Sequence, residues 1–527
     1  MKKYRCSAAL HAPSQSIHAT YGRSLLLATF ALLLTFVATF ASAQPLSISP
    51  AAARNLVTAQ VDSARRHALS GNRVAWASAQ NDRGVVADDL LLRNLTVALN
   101  RTAEREQAFQ QLLRDQQDTA SPDYHRWLTP VEVGDRFGVS QHDIDAVCAW
   151  LSSQGLHVDR IANSRTRIAF SGSAAAVAQA LATPLHSYAV GGEVRIANVD
   201  DPQIPAALAG VVQSVAGLHT IKYYPAHQVT APQQALAAPS AIRPALTNCP
   251  PSGSCSYYVF PADFAKIYDL PASSINGSGQ AIAIVSKTRV YDADNTNFMS
   301  LSGVTFAAPT VIVPPAGTDP GPPATTCTTS GSTNTCSKPS DAVSNQSEAT
   351  LDVQRAGSVA PGATLKLIAS ADTGSGANMT DGIVIGIEYA IDTNPVPAQI
   401  LSISYSSCES DNGASASIFF DHLYKQAALE GISVFVASGD GGVAGCEALD
   451  ATPSTTQTIS INTLCASGYV TCVGGTEFAD QANPSAYWAA SSGANYLSAL
   501  GYIPEGAWND PIDDSGNTQF AATGGGV

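Results

Sequence analysis

A chain of 527 residues, 45% hydrophobic and 13% charged, has room for two or three domains with proper cores. Its net charge of -14 is lopsided: from residue 244 onward 25 Asp and Glu face 7 Lys and Arg, whereas the earlier residues hold 17 acidic and 21 basic side chains. Such a composition excludes overall disorder, and an acidic exterior without a basic stripe gives no support to nucleic-acid binding.

The chain begins with Lys2, Lys3, Arg5 and Arg23 ahead of an apolar run from Leu25 to Phe40 that closes on Ala41-Ser42-Ala43. This pattern predicts a secretory signal over residues 1–43, with cleavage after Ala43 and an extracellular product. The apolar run falls short of the roughly 20 residues that span a bilayer, so no stable membrane insertion is expected.

Residues 44–220 read as one unit. Thr102, Ser140 and Ser173 are placed to cap helices running to about Gln117, Gln154 and Ala182, and short alternating runs lie at His157 to Ile161, Arg167 to Ser171 and Val194 to Asn198. That alternation suits a split βαβ sandwich, an α+β fold. Residues 221–256 are rich in Pro, Ala, Gln and Ser without sustained periodicity, and are expected to be a linker with a processing site.

From residue 257 onward strand-like runs (Ala281 to Val285, Thr364 to Ile368, Gln399 to Ser404, Ile432 to Ala437) alternate with helical ones (Ala342 to Arg355, Thr380 to Ile391, Ile418 to Glu430). The fold class predicted here is α/β, a parallel sheet flanked by helices. Residues 306–340, dense in Pro, Thr, Gly and Ser, read as a surface insertion.

Export makes disulfides the natural state of the cysteines. Eight of them fall into sequence-near pairs, Cys249 with Cys255, Cys327 with Cys336, Cys408 with Cys446 and Cys465 with Cys472, although eight cysteines allow 105 connectivities and proximity is only a guide. A bridge from Cys408 to Cys446 would remove on the order of 4 kcal/mol of unfolded-state entropy. No close Cys or His pairs suggest zinc.

Three carboxylates stand out. Glu348 and Asp352 lie four apart in Ser347-Glu-Ala-Thr-Leu-Asp-Val-Gln354, one above the other if the segment is helical, and Asp440 follows the apolar run of Val434-Phe-Val-Ala-Ser-Gly-Asp-Gly-Gly442. Asp440 would then stand at the carboxyl end of a strand, where open α/β sheets place their sites. Taken alone, spacing leaves plainer readings open. Asn345, three residues before Glu348, fits a helix cap whose reciprocal partner is that glutamate, and Asp440-Gly fits an ordinary turn.

Further motifs bear on the choice: Gly277-Ser-Gly-Gln-Ala-Ile-Ala-Ile-Val285, Leu401-Ser-Ile-Ser-Tyr-Ser-Ser-Cys-Glu409, Tyr469-Val-Thr-Cys-Val-Gly-Gly-Thr476 and Tyr502-Ile-Pro-Glu-Gly-Ala-Trp-Asn-Asp510. With the carboxylate motifs they resemble the sedolisins, the serine-carboxyl peptidases. Ser121-Pro-Asp-Tyr-His-Arg-Trp-Leu-Thr-Pro130, Arg136-Phe-Gly-Val139 and Phe170-Ser-Gly-Ser173 resemble the activation propeptide of the same family. The resemblance implies a ferredoxin-like propeptide over residues 44–220, docked on its own enzyme, and a subtilisin-like peptidase domain over residues 257–527 acting on protein or peptide substrates.

A serine nucleophile needs a base, and below about pH 6 histidine is mostly protonated whereas a carboxylate with a pKa near 4 still accepts a proton. The resemblance assigns Glu348 as that base, Asp352 as the group that orients it and shares its charge, and Asp440 as the protonated donor to the oxyanion. An acidic surface with no Lys or Arg after Lys425 suits work below about pH 5. The family's nucleophile, in a Gly-Thr-Ser motif, occurs nowhere in the 527 residues, and its calcium ligands would lie beyond Val527. The expectation is a carboxyl-terminally truncated precursor, inactive as it stands. The alternative is a secreted pseudoenzyme or propeptide-type binding protein.

Overall fold

In the amino-terminal half four helices begin where a side-chain oxygen can satisfy their free amides. Strand β1 (Leu91–Leu99) leads to α1 (Ala103–Asp115), capped by Thr102, whose hydroxyl accepts from Arg105 N. Helix α2 (Pro130–Phe137) opens with a capping box: Glu132 N donates to Thr129 Oγ1 at 3.2 Å while Thr129 N donates to Glu132 Oε2 at 2.8 Å. Helix α3 (Gln141–Ser153) is capped by Ser140, and after β2 (His157–Ile161) and β3 (Arg167–Ser173) comes α4 (Ala174–Leu181), capped by Ser173. Strand β4 (Val212–Ala216) completes an antiparallel sheet of order β2-β3-β1-β4.

This computed structural model describes residues 53–225, 246–248, 256–271, 275–324, 327–330, 333–336, 340–374, 379–446, 458–480, 482–511 and 520–525. The expected signal at 1–43, most of the linker at 221–256 and the Cys249 and Cys255 pair lie outside the described residues.

The capped helices fall within a residue or two of expectation; the strands differ more. The central strand β1 and the edge strand β4 were not anticipated, because β1 carries a register shift between Leu92 and Leu95, where Asn94 adopts φ 54°, and this breaks its alternation. Val194 to Asn198 belongs to Glu193–Asn198, which pairs with Leu185–Val190 in a separate three-stranded sheet completed by Asp82–Val85.

The carboxyl-terminal half is built on six parallel strands: β5 (Ala281–Ser286), β6 (Thr310–Ile312), β7 (Thr364–Ala369), β8 (Ile400–Ile403), β9 (Ser433–Ala437) and β10 (Thr471–Val473), in the order β6-β7-β5-β8-β9-β10. Successive side chains point to opposite faces. Ala283, Val285, Leu401, Ile403, Val434 and Val436 pack against α7 (Gly382–Asp392) and α8 (Glu409–Leu429), while Ile284, Leu365 and Leu367 pack against α6 (Ser340–Val359) beside α5 (Asp292–Ser302). The chain is an α/β protein here, with helices on both faces.

Three expectations need correction. Residues 306–340 are not wholly an insertion, since Phe306 is core and Thr310–Ile312 forms the edge strand β6. A hairpin does place Cys327 opposite Cys336. Helix α8 starts nine residues before Ile418, with a break at Gly413 (φ 67°); the polar run Glu-Ser-Asp-Asn-Gly reads as loop, but the Asn412 amide bonds back to Cys408 O and holds that turn. Finally, α6 begins at Ser340, so Asn345 lies inside the helix and the capping reading of Asn345 with Glu348 is excluded.

The two halves meet through polar contacts at helix ends. Asp392, last in α7, accepts from Arg160 Nη1 (2.8 Å), Asn163 N (2.9 Å) and Ser164 N (3.2 Å). Leu128 N donates to Leu429 O at 3.0 Å, and the Trp127 ring lies so close over Gly431 (φ +70°) that a β-carbon there would sit 2.4 Å from it. Glycine suits that position for both its backbone and its neighbour.

Candidate active site

The connection after β5 leads to one side of the sheet and the connection after β8 to the other, so the crevice between these neighbouring strands is the switch point where α/β proteins place their sites. Lys287 follows β5, and Ser404-Tyr405-Ser406 follow β8. Helix α6 supplies the third wall with Asn345, Glu348 and Asp352, spaced i, i+3 and i+7 along one face.

Glu348 is 2% exposed. Asp352 keeps some contact with solvent, yet its carboxyl is packed on most sides; Oδ1 accepts from Ser404 Oγ at 2.8 Å, and Oδ2 has no hydrogen-bond partner among the described residues. Burial first, then the charge of Glu348, pushes the Asp352 carboxyl up to about 8 against the opposing effect of the Ser404 bond. Asp352 therefore holds its proton throughout the acid range.

Tyr405 is fully buried beside this pair. Its hydroxyl donates to Asn345 Oδ1 at 2.9 Å and accepts from Lys287 N at 3.4 Å, and burial, reinforced by Glu348 and Asp352, raises the phenol far above its ordinary range. Lys287 Nζ lies 2.5 Å from Asp381 and 3.1 Å from Asp372. Burial would lower that ammonium, but the two carboxylates outweigh it and hold the lysine charged. Asp381 also caps α7 through Ile383 N. The paired charges of Lys287, Asp372 and Asp381 wall one side of the crevice, and Tyr405, held by Lys287 N, in turn fixes Asn345 one helical turn before Glu348.

Asp440 stands three residues past β9, in a turn that Gly439 enters with φ 96°. Its carbonyl accepts from Ala522 N at 2.9 Å, and Gly524 N donates to Gly439 O at 2.8 Å, so residues 522–524 run beside the turn. A β-carbon at Gly439 would lie 3.6 Å from Ser406 Cβ. Ser404 and Ser406 share a face of their extended segment, one reaching Asp352 and the other the Asp440 turn. The three carboxylates picked out in the sequence therefore border one short stretch of backbone.

Asp440 also lines a cleft of about 420 Å³ together with Ser406, Asp411 and Cys446. Across it Tyr224–Pro225 pairs antiparallel with Tyr405–Ser406, so the chain leaving the amino-terminal half lies along the cleft as an added strand. Cys408 and Cys446 are bonded, tying the start of α8 to the loop after Asp440, and Cys465 and Cys472 are bonded beside β10. Asp411 lies within 4.8 Å of the sulfurs of Cys408 and Cys446, but as a disulfide these offer no thiolate to a metal.

Lys287 was not singled out by sequence reasoning, Ser404 and Tyr405 were named only as part of a motif, and Asn345 only as a helix cap. The one available signal was the polar Ser-Tyr-Ser directly after an apolar strand.

Comparison with known proteins now bears on this geometry. The family described as Pro-kumamolisin, activation domain, matches residues 78–221. Sedolisin of Pseudomonas sp. (strain 101) is 26% identical over 425 residues, covering 80% of this chain and 63% of its own length. Xanthomonalisin of Xanthomonas sp. (strain T-22) is 26% identical over 436 residues, 77% of this chain and 46% of the relative. Kumamolisin of Bacillus sp. (strain MN-32) is 25% identical over 389 residues, 72% and 62% respectively. The chain thus spans between about half and just under two thirds of the length of these curated relatives. A solved structure of Pseudomonas sedolisin (serine-carboxyl proteinase), complexed with two molecules of pseudo-iodotyrostatin, matches with a TM-score of 0.34 and 23% identity over 51% of this chain and 62% of that one.

Proposed function

Because the chain belongs to the sedolisin family and carries a pro-kumamolisin activation domain, we propose that it is the precursor of a secreted, acid-acting serine-carboxyl endopeptidase. Residues 44–220 act as the propeptide, 221–256 as the processed linker and 257–527 as peptidase domain. The sheet order β2-β3-β1-β4, in which the second and third strands form a hairpin and the first and fourth are neighbours, supports a ferredoxin-like, split βαβ propeptide. Helices on both faces of the parallel sheet fit a subtilisin-like peptidase domain.

The observation that carries the proposal is the pair of buried Glu348 and half-buried Asp352 on one face of α6, anchored by Ser404 at the carboxyl end of the sheet. Glu348 would take the proton of a serine hydroxyl presented to it, and Asp352, protonated and held by Ser404, would orient Glu348 and share its charge. Asp440, at the far end of the Ser404 to Ser406 stretch, would donate to the oxyanion. The Gly-Thr-Ser nucleophile of the family is not among these residues, so the proposal concerns a protein in which Glu348 meets such a serine. Calcium takes six to eight oxygen ligands, and among the described residues no three carboxylates cluster together, so no step is assigned to it. Among the described residues no helix is long and apolar enough to cross a membrane.

The test is digestion of denatured protein by the full gene product at acid pH. Glu348→Ala and Asp352→Ala should each lower turnover by at least about a hundredfold, as loss of base activation requires. Near-normal turnover by both variants would remove the assignment.

A further inference from the structure

The cleft beside Asp440 is divided by charge. Its lining from the carboxyl-terminal half includes two carboxylates, Asp411 and Asp440, and no Lys or Arg; the two cations in it, Arg195 and Lys222, both come from the amino-terminal half. Lys222 turns back to Glu193 of its own half at 3.1 Å. Arg195 keeps its Nε 3.7 Å from Glu193 Oε2 but also reaches across, with Nη1 3.6 Å from Asp411 Oδ2 and its guanidinium 5.8 Å over the Trp76 ring, while Trp76 Nε1 donates to Asp411 O at 2.9 Å.

We infer that Asp411 is a specificity-determining residue that selects a basic side chain, arginine before lysine, in the peptide bound to this cleft, and that Arg195 of the propeptide occupies the place of that side chain in the precursor. The inference rests on the peptidase reading above and names the substrate class for its cleft. Asp411 is placed rigidly, since the turn that bears it is tied through the Cys408 to Cys446 disulfide to the loop after Asp440. Its side chain is 37% exposed even with Arg195 present, so it opens fully to a substrate once the propeptide leaves. A substrate strand on Tyr405–Ser406 follows the path of Tyr224–Pro225, and alternate side chains of such a strand face the cleft wall. A guanidinium offers two parallel donors to a carboxylate where an ammonium offers a point charge, which sets arginine above lysine.

The experiment is cleavage of a positional set of peptides by the activated full gene product, each position carrying in turn Arg, Lys, Gln, norleucine or Glu. At one position Arg should exceed Gln by about tenfold in kcat/KM, the size expected of a charge-assisted pair in a partly exposed cleft. In Asp411→Asn the Arg-to-Gln ratio should collapse to within about twofold, and in Asp411→Lys the preference should invert toward Glu. Retention of the Arg preference in Asp411→Asn, or equal rates for Arg, Gln and Glu peptides in the wild type, overturns the inference and leaves the peptidase reading standing. Cleavage of no peptide at all overturns that reading, and the inference falls with it.

Discussion

The two halves of this molecule reach their folds by different means. In the first, Thr102, Thr129, Ser140 and Ser173 seal four helices with local hydrogen bonds. In the second, among the described residues, α5 and α8 begin at Tyr291 and Cys408 without any side-chain cap, whereas Asp381 caps α7 while also holding Lys287. The first half therefore draws its order from short-range chemistry, and the second from burial of a parallel sheet whose carboxyl-end crevice is lined by Glu348, Asp352, Lys287 and Tyr405. Buried polar groups at a crevice cost stability, and a fold that keeps them is one in which position matters more than stability.

The largest expected effect falls in the second half. Asp352 has a carboxyl pKa raised to about 8, so the folded state favours the protonated form; this contribution is fully present below about pH 4 and is lost as pH rises toward 8. Asp352→Asn, which cannot ionise, should raise the free energy of unfolding measured in urea at pH 7 by on the order of 3 kcal/mol and change it little at pH 4. Equal shifts at both pH values would mean that the carboxyl is not strained by burial, and the contrast between the halves would lose its main support.

At the boundary between the halves, a buried and a half-buried histidine make opposite contacts: His219 Nε2 donates to Asn412 O, and His422 Nε2 donates to Gln213 Oε1, each at 2.8 Å. Burial pushes the His219 ring down to about 4; burial and then Arg101, Arg167 and Lys425 push His422 down to about 3. A depressed histidine binds fewer protons folded than unfolded, so stability falls as pH drops from about 6.5 toward these values and falls no further below them. Up to roughly 3 kcal/mol per ring is at stake. His422→Gln should flatten the loss of urea stability between pH 6 and pH 4, and an unchanged slope would show that the boundary is not what acid loosens.

A smaller difference separates the variants of Asp440. An amide can still donate to an oxyanion, so Asp440→Asn in the full gene product should retain about tenfold more turnover than Asp440→Ala. Equal losses would exclude the donor role. Least of all, Thr102→Ala should cost about 1 kcal/mol, the usual worth of a helix cap, with acid proteolysis unchanged after activation. A much larger loss would show that α1 depends on tertiary contacts as the second half does.

Much of this was legible from residue order because the forces involved act over a few residues. Ser and Thr before an amphipathic run cap a helix wherever it lies, apolar runs such as Ala281 to Val285 have no choice but a buried strand, and carboxylates four apart on α6 must share a face. What tertiary structure alone decided depends on groups far apart in the chain. Asn345 reads as a cap until Tyr405, 60 residues away, claims its oxygen; Ser404 has no visible role until β8 sets it against Asp352; Gly431 is a plain helix end until Trp127 lies over it. Side-chain pairing across a sheet depends on strand order, and strand order follows from which apolar faces bury together, a property that no local spacing records.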